Sequence, residues 1–259
     1  MKTYSTLLLL LVGSTAFGQR LVPINFSKAY QDPYYMVLEA DSITAVLEHV
    51  ETENRLVIFD LEIVNKSGLP LKVDPKLFHY YAGSSPFPEL TGEADNVHQV
   101  SFPYSQVPGY LRKSLTKNVV EDHYETQIKQ QQTLAIIFGV LSVGMMVADV
   151  ASDVRDAKKE FYTQSDWNKS QTRDVLTATT LMTTDAVIRS TQERNYYTRE
   201  DLHYLDQEIM QPMDLPDTSA LRGKVYFPKN GFYRYYRVVV PVEGYNFVFD
   251  FRKARVSDY

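Results

Sequence analysis

The middle of the chain contains no proline from Val119 to Glu160, so a long helix can form there without interruption. Apolar or small residues recur along it at the three-and-four spacing of one helix face, at Tyr124, Ile128, Ala135, Phe138, Leu141, Met145 and Ala148. A second helix is predicted from about Asp166 to Glu193. A short third helix is predicted from Thr198, whose hydroxyl can cap a helix start, to just before Pro212. We therefore predict that residues 112–212 form a helical hairpin plus a short third helix.

The segments on either side of this helical middle have the period-two pattern of β-strands. The residues that share one strand face are Val57, Phe59, Leu61 and Ile63 near the N-terminus and Tyr245, Phe247, Phe249 and Phe251 near the C-terminus. Neither block has enough strands to close a core alone. We therefore predict one discontinuous antiparallel β-sandwich made of residues 19–111 and 213–259, with the helices inserted. The predicted fold class is α+β.

The two predicted β blocks carry opposite charge. Between Glu39 and Glu62 there are seven acidic residues and one basic residue, whereas Arg222 to Tyr259 contains eight basic and three acidic residues. Oppositely charged residues on neighbouring strands attract, and each such pair contributes roughly 0.2–1 kcal/mol. The charge pattern therefore predicts that acidic strands lie beside basic strands in one sheet.

Two stretches of the predicted strands resemble a known family. VIFDLEIVNKSGLPLKVDPKLFHY, residues 57–80, has a strand ending in asparagine, a short turn and a strand ending in Asp-Pro. GKVYFP begins a strand at Gly223, with Val225 and Phe227 on one face. Both stretches look like secreted bacterial immunoglobulin-like (telokin-like) β-sandwich domains. The resemblance covers the predicted strands and not the helical middle. It implies an envelope-exposed binding or scaffolding role without shared catalytic residues.

An uncharged apolar run, Leu134 to Ala148, lies inside the first predicted helix. Its 15 residues would span ~22 Å as a helix, which is less than the ~30 Å hydrocarbon layer of a membrane. Three interpretations stay open: a hairpin that is buried or faces a partner, a single membrane span, and a segment at the membrane interface. Small residues four apart predict a surface that another helix can approach closely. These residues are Ala135 and Gly139, then Gly144, Ala148 and Ser152.

The first 18 residues, MKTYSTLLLLLVGSTAFG, contain one lysine, a run of leucines and small residues before Gln19. This pattern is typical of a secretory signal peptide, with cleavage expected after Gly18 or, alternatively, after Ala16. The chain has no cysteine, so it offers no disulfide framework, no cysteine-linked lipid and no thiolate metal site. We expect an exported protein of the periplasm or cell envelope, soluble rather than integral to the membrane.

Groups suited to catalysis are sparse. The five histidines show no metal-binding spacing, and none lies beside a nucleophile motif. We therefore predict no catalytic residue, no cofactor and no metal site. The net charge of -5 argues against nucleic acid as a general partner.

The segment FYRYYR, Phe232 to Arg237, interleaves tyrosine with arginine. On a strand, Tyr233, Tyr235 and Arg237 would share one face. Such a face is typical of binding surfaces and would suit an anionic glycan, a lipid headgroup or a protein. In the alternative, these residues pair with the acidic strands and lie beneath the helices.

Together these patterns favour a non-enzymatic envelope protein that acts in protein association or scaffolding. We expect the helices to supply the contact, either by self-association through Gly144, Ala148 and Ser152 or by seating against a membrane-bound partner. Gly139 belongs to the same candidate surface, and contact with a membrane stays open. Two alternatives remain at this level: a module that binds an anionic glycan or lipid headgroup through Tyr233, Tyr235 and Arg237, and a single-span membrane protein.

Overall fold

The structure is a computed structural model that describes residues 20–24, 35–53, 55–87, 97–99, 110–156, 164–231 and 233–254. The expected signal peptide, residues 1–18, lies outside these residues. The chain divides into two compact units: Met1–Lys117 with Gln207–Tyr259, and Asn118–Asp206. The first contains antiparallel sheets and the second is helical, so the predicted α+β class is confirmed.

The first unit, called here the β unit, is built from strands contributed by both ends of the chain. In the described residues they are β1 (Leu21–Pro23), β2 (Tyr35–Ala40), β3 (Ile43–Glu53), β4 (Leu56–Asn65), β5 (Leu71–Val73), β6 (His79–Gly83), β7 (Val97–Gln99), β8 (Tyr110–Lys113), β9 (Met213–Leu215), β10 (Ser219–Pro228), β11 (Tyr235–Val242) and β12 (Tyr245–Lys253). A short 3-10 turn, Pro75–Leu77, lies between β5 and β6.

The strands form three antiparallel sheets. The largest has the order β1-β12-β11-β6-β8, with β7 also pairing with β12. The second has the order β10-β4-β3-β2, and β5 pairs with β9. Each sheet combines strands from before and after the helices. The β unit is therefore discontinuous in sequence.

The two larger sheets share one apolar core. Phe59 on β4 lies 5.1 Å from Phe251 on β12 and 6.0 Å from Phe227 on β10, measured between ring centroids. Tyr80 on β6 lies 5.4 Å from Phe227. The predicted strand faces match this core, because the alternating residues of β4 and the phenylalanines of β12 are buried in it. The residues are Val57, Phe59, Leu61, Ile63, Phe247, Phe249 and Phe251.

The expected pairing of acidic with basic strands is present between β4 and β10. Lys224 lies opposite Asp60 and Arg222 lies opposite Glu62 in the register of the two strands. The guanidinium of Arg222 donates to one carboxylate oxygen of Asp60 at 3.0 and 2.7 Å. Because the Arg222 side chain is 65% exposed, this ion pair contributes less than about 1 kcal/mol.

Two long helices follow β8: α1, Lys117–Asp156, and α2, Gln164–Glu208. The prediction of a separate third helix is wrong. Thr198 lies inside α2, where its hydroxyl donates to the Arg194 carbonyl at 2.8 Å instead of capping a helix start. No glycine or proline occurs within α2, so nothing in its backbone interrupts the helix.

The chain returns from α2 to the β unit through a close contact with β10. The backbone N–H of Met210 donates to the Lys224 carbonyl at 3.0 Å, and Ile209 forms a parallel bridge with Lys224. The Lys224 ammonium lies 2.7 Å from Glu208. The sequence predicts that Gly223 begins a strand, but in the structure this residue lies inside β10. A Cβ at this position would lie 2.9 Å from the Met210 backbone.

His49 on β3 is a buried side chain with a hydrogen bond on each ring nitrogen. Its Nδ1 accepts from the Leu21 N–H at 3.2 Å, and its Nε2 lies 2.8 Å from the Thr52 hydroxyl. Burial, with a smaller effect of the Arg20 charge, lowers the pKa of His49 to about 4. The imidazole is therefore neutral in the folded protein near pH 7.

We expect His49 to make stability depend on pH. Because its folded pKa lies below the usual value of about 6.5, its contribution is complete above pH 6.5 and is lost as pH falls toward 4. The loss is expected to be about 3 kcal/mol, since one pKa unit corresponds to ~1.4 kcal/mol. Urea unfolding at several pH values should show a smaller decline for His49→Gln than for the wild type. Parallel pH profiles of the two proteins would contradict this assignment.

Candidate interaction surface

The two helices of the second unit each have one enclosed side. On α1 the buried residues include Val120, Tyr124 and Gln131, and on α2 they include Thr184, Thr198 and Leu205. The Asn195 amide of α2 donates to the Ile128 carbonyl of α1 at 3.4 Å, which joins the two helices. We call these enclosed sides the inner sides of the helices.

The described inner sides include buried polar groups. Gln131 and Thr184 are more than nine-tenths buried. The side-chain oxygens of Gln127 and Gln131 are enclosed and have no hydrogen-bond partner among the described residues. A buried amide oxygen without a partner costs on the order of 1–3 kcal/mol. The described inner sides are therefore only partly apolar.

The opposite side of α1 is apolar and exposed. Ile136, Val140, Val143 and Val147 are each between 60% and 67% exposed, and we call these four residues the outer strip. At ~100° per residue, Val140 lies half a turn around the helix from Gln131. The spacing of four, three and four residues is that of the a and d positions of a heptad. The outer strip thus has the pattern of a helix-packing seam, and the described part of the chain leaves its four side chains largely exposed.

Further apolar side chains extend this exposed area. On α1, Leu134, Ile137 and Met146 are about half exposed. On α2, Val175 and Met182 lie seven residues apart and are 65% and 73% exposed. The exposed apolar side chains of α1 together present an area comparable with the largest apolar patch on a typical monomer, which is about 300–600 Å².

The predicted small-residue surface lies on the same helix. A Cβ placed on Gly139 or Gly144 would meet no atom within 4 Å, so no described part of the chain packs against these two positions. The structure does not describe the side chains of Ala148 and Ser152. The role of these four residues in association stays a prediction.

The apolar run Leu134 to Ala148 lies wholly within α1. Among the described residues, the structure contains no helix that is both long and apolar enough to cross a membrane.

The structure places Arg237 away from any ligand surface. Its side chain is 1% exposed, and its Nε and Nη2 donate to the two carboxylate oxygens of Asp250 at 2.7 Å each. The guanidinium also lies 4.9 Å from the ring centroid of Phe87. The burial has two causes: β12 places Asp250 directly opposite Arg237, and a small buried cluster that includes Phe87 lies on the same face of the sheet. Arg237 is a structural ion-pair residue.

The two tyrosines of the same predicted face are also partly enclosed. Tyr235 packs against a small buried cluster that includes Tyr81 and Val239, and Tyr233 packs against the main core. The structure therefore brings together Tyr235 and Arg237 on β11, but as packing groups rather than as an open basic face.

Other basic residues of the C-terminal block lie near one another at the end of β12. Burial, followed by repulsion from Lys229 and Arg234, lowers the pKa of Lys253. The Lys253 ammonium donates to the Gly231 carbonyl at 2.9 Å. Among the ion pairs of the described residues, none involves Lys229 or Arg234. Binding of an anionic ligand at this end stays a prediction from charge.

Comparisons of the chain with protein-family models, with curated proteins and with solved structures found no match. The geometry of the two units is therefore the basis for any statement about function.

The sequence patterns described above do not single out the outer strip. The three-and-four spacing predicts one apolar stripe on α1, containing Tyr124, Ile128 and Ala135, and the small residues are predicted as the contact. The signal for a second stripe was nevertheless present, since Ile136, Val140, Val143 and Val147 follow heptad spacing without interruption.

Proposed function

We propose that this protein is a non-enzymatic, exported protein that associates with another protein chain through its helical hairpin. The observation that carries this proposal is the outer strip on α1, which is aliphatic and about two thirds exposed, on a helix whose inner side is partly polar. A helix that is apolar on more than one side is normally buried on more than one side. A partner that covers the outer strip would meet this condition.

The free energy gained by burying the outer strip favours association with a partner. Full burial of one Val or Ile side chain contributes ~1.5–3 kcal/mol, so covering four side chains that are two thirds exposed contributes roughly 4–8 kcal/mol. The neighbouring Leu134, Ile137 and Met146 add to this. Association costs at least ~4 kcal/mol in lost translational and rotational freedom. The apolar area of the hairpin is therefore large enough to support a specific complex, and it is costly to leave in water.

The proposal gives the β unit the role of a scaffold that carries the hairpin. We propose an immunoglobulin-like sandwich for it, supported by two antiparallel sheets that share one core and by the strand-turn-strand pattern of residues 57–80. Export is proposed from the lysine, leucine run and small residues of the first 18 positions.

The buried titratable groups support a structural role for the β unit. His49 bonds with Leu21 and Thr52, the Tyr80 hydroxyl donates to the Pro228 carbonyl at 2.6 Å, and the Tyr236 hydroxyl donates to the Asn230 carbonyl at 2.8 Å. Burial raises the pKa of Tyr236 to about 12 and also raises that of Tyr80. Each of these groups therefore holds segments of the fold together in its neutral form.

Site-specific photo-crosslinking tests the proposed function. A photoreactive phenylalanine analogue at position 140 is expected to give a discrete protein adduct in the cells that produce the protein, because Val140 lies in the centre of the outer strip. The matched control places the same group at Val50, an exposed apolar residue of the β unit that is 43% exposed. No protein adduct is expected there. Adducts with lipid alone, or equal protein adducts from both positions, would refute the proposal.

A further inference from the structure

The outer strip has a period that matches one particular kind of partner. Ile136, Val140, Val143 and Val147 repeat at alternating intervals of four and three residues, and the sequence continues this spacing at Val150 and Val154. A heptad repeat of aliphatic residues packs against another helix with the same repeat, because knobs from one helix fit holes on the other. A partner with a helix of equal period is therefore favoured over a flat or irregular surface.

The second helix of the same chain does not fill this role. The inner side of α1 is the side with buried Tyr124 and Gln131, whereas all four residues of the outer strip remain at least 60% exposed. The helix α2 also leaves Val175 and Met182 exposed. Both helices of the hairpin therefore keep exposed apolar side chains that the hairpin itself does not bury.

The outer strip is uncharged and aliphatic, so it can pack against a second copy of itself. The run from Leu134 to Ala148 contains no charged residue, and every described position of the outer strip is valine or isoleucine. A two-fold symmetric interface requires a patch that fits a second copy of the same patch. An aliphatic heptad seam meets this requirement because neither copy brings a charge that the other would leave unpaired.

The exposed area supplies a large part of what a dimer needs. A stable interface buries about 800 Å² on each partner. The exposed apolar side chains of α1 contribute to this area, and so do Val175 and Met182 of α2. Gly144 lies ~40° around the helix from Val140, and the open space at this glycine lets a second helix approach the backbone of α1.

From these observations we infer that the partner of the outer strip is a second copy of this chain, so that two hairpins pack strip against strip as a four-helix assembly. The inference rests on the proposed function and names its partner. In this assembly the outer strip of each copy is buried against that of the other.

Sedimentation of the purified protein tests this inference. We expect the mass of two chains for the wild type and at least 100-fold weaker self-association for Val140→Glu, since a charge would be buried in the seam. The control is Val119→Glu, which changes an exposed valine of the same helix outside the outer strip, 48% exposed. It should leave the dimer intact. A monomeric wild type, an unchanged Val140→Glu dimer, or equal loss in both variants would overturn the inference.

Cysteine crosslinking keeps the test independent of the charge substitution. The chain has no cysteine, so single variants at 136, 140, 143 and 147 report only on their own contacts. Oxidation is expected to link two copies through at least one of these positions and not through Val119→Cys. If none of the four links, the seam is not the dimer contact, even where Val140→Glu has changed the fold.

The two proposals fail in different ways. A monomeric purified protein together with an adduct to a different protein at position 140 would refute the self-association and leave protein association standing. An absence of any protein adduct at position 140 together with a monomeric protein would refute both.

Discussion

Asp250→Ala is expected to lower the free energy of unfolding by about 3–5 kcal/mol, which is the usual cost of removing one partner of a buried ion pair. The Asp250 carboxylate accepts two hydrogen bonds from Arg237, each 2.7 Å long, and Arg237 is only 1% exposed. Without Asp250, the guanidinium would lose its counter-charge while enclosed by the core strands. Urea unfolding at pH 7, followed by tyrosine fluorescence or circular dichroism, measures the change.

The chain supplies a matched control in a second arginine–aspartate pair. Asp60→Ala removes the partner of Arg222, whose side chain is 65% exposed. Because water can solvate the freed guanidinium, we expect a loss below about 1 kcal/mol. Replacing both buried partners by apolar residues, in Arg237→Met with Asp250→Leu, should cost less than Asp250→Ala alone. Equal losses of stability in the Asp60→Ala and Asp250→Ala variants would show that the Arg237–Asp250 pair is not buried as described.

Gly223→Ala is expected to destabilise the β unit by about 1–3 kcal/mol, the usual range for overpacking. The added Cβ would lie 2.9 Å from two backbone atoms of Met210 and 3.1 Å from the Glu208 carbonyl oxygen. Backbone atoms cannot rotate away as a flexible side chain can. The contact between β10 and the segment after α2 would have to open, which would lengthen the hydrogen bond from Met210 to Lys224. Thermal or urea unfolding measures the loss.

Gly231→Ala is the control for this substitution. A Cβ at Gly231 would meet no atom within 4 Å, and the same one-methyl change is expected to alter stability by less than about 0.5 kcal/mol. Similar losses for the two glycines would show that backbone freedom, rather than the contact with Met210, explains the effect at Gly223.

The sequence predicted those features of the fold that depend only on residues close together in the chain, namely the buried face of a strand and the position of a long helix. The alternation of Val57, Phe59, Leu61 and Ile63 fixed which face of β4 is buried, because a strand exposes alternate residues on opposite faces. The proline-free middle predicted α1. The prediction of a third helix was wrong because a threonine caps a helix only where a helix begins. No glycine or proline interrupts α2 near Thr198, so its hydroxyl donates to the Arg194 carbonyl within the helix.

The burial of Arg237 and the exposed side of α1 could not be predicted from the sequence, because both depend on contacts between residues far apart in the chain. Whether Arg237 is exposed depends on Asp250, which lies opposite it on β12, and on Phe87, which lies over its guanidinium, and both contacts join residues distant in sequence or set by the sheet register. Likewise, α1 carries apolar residues on more than one side, and spacing alone does not tell which side its own chain covers. The structure answers this by enclosing Gln131 and exposing Val140.

The strand order has a consequence for how the molecule is made. The strand β1 pairs with β12, and β12 is the last described strand of the chain. During folding, β1 can form this ladder only with a segment more than two hundred residues further along the chain. Completion of this part of the sheet therefore depends on a contact of very long sequence separation, which is the kind that makes folding slow.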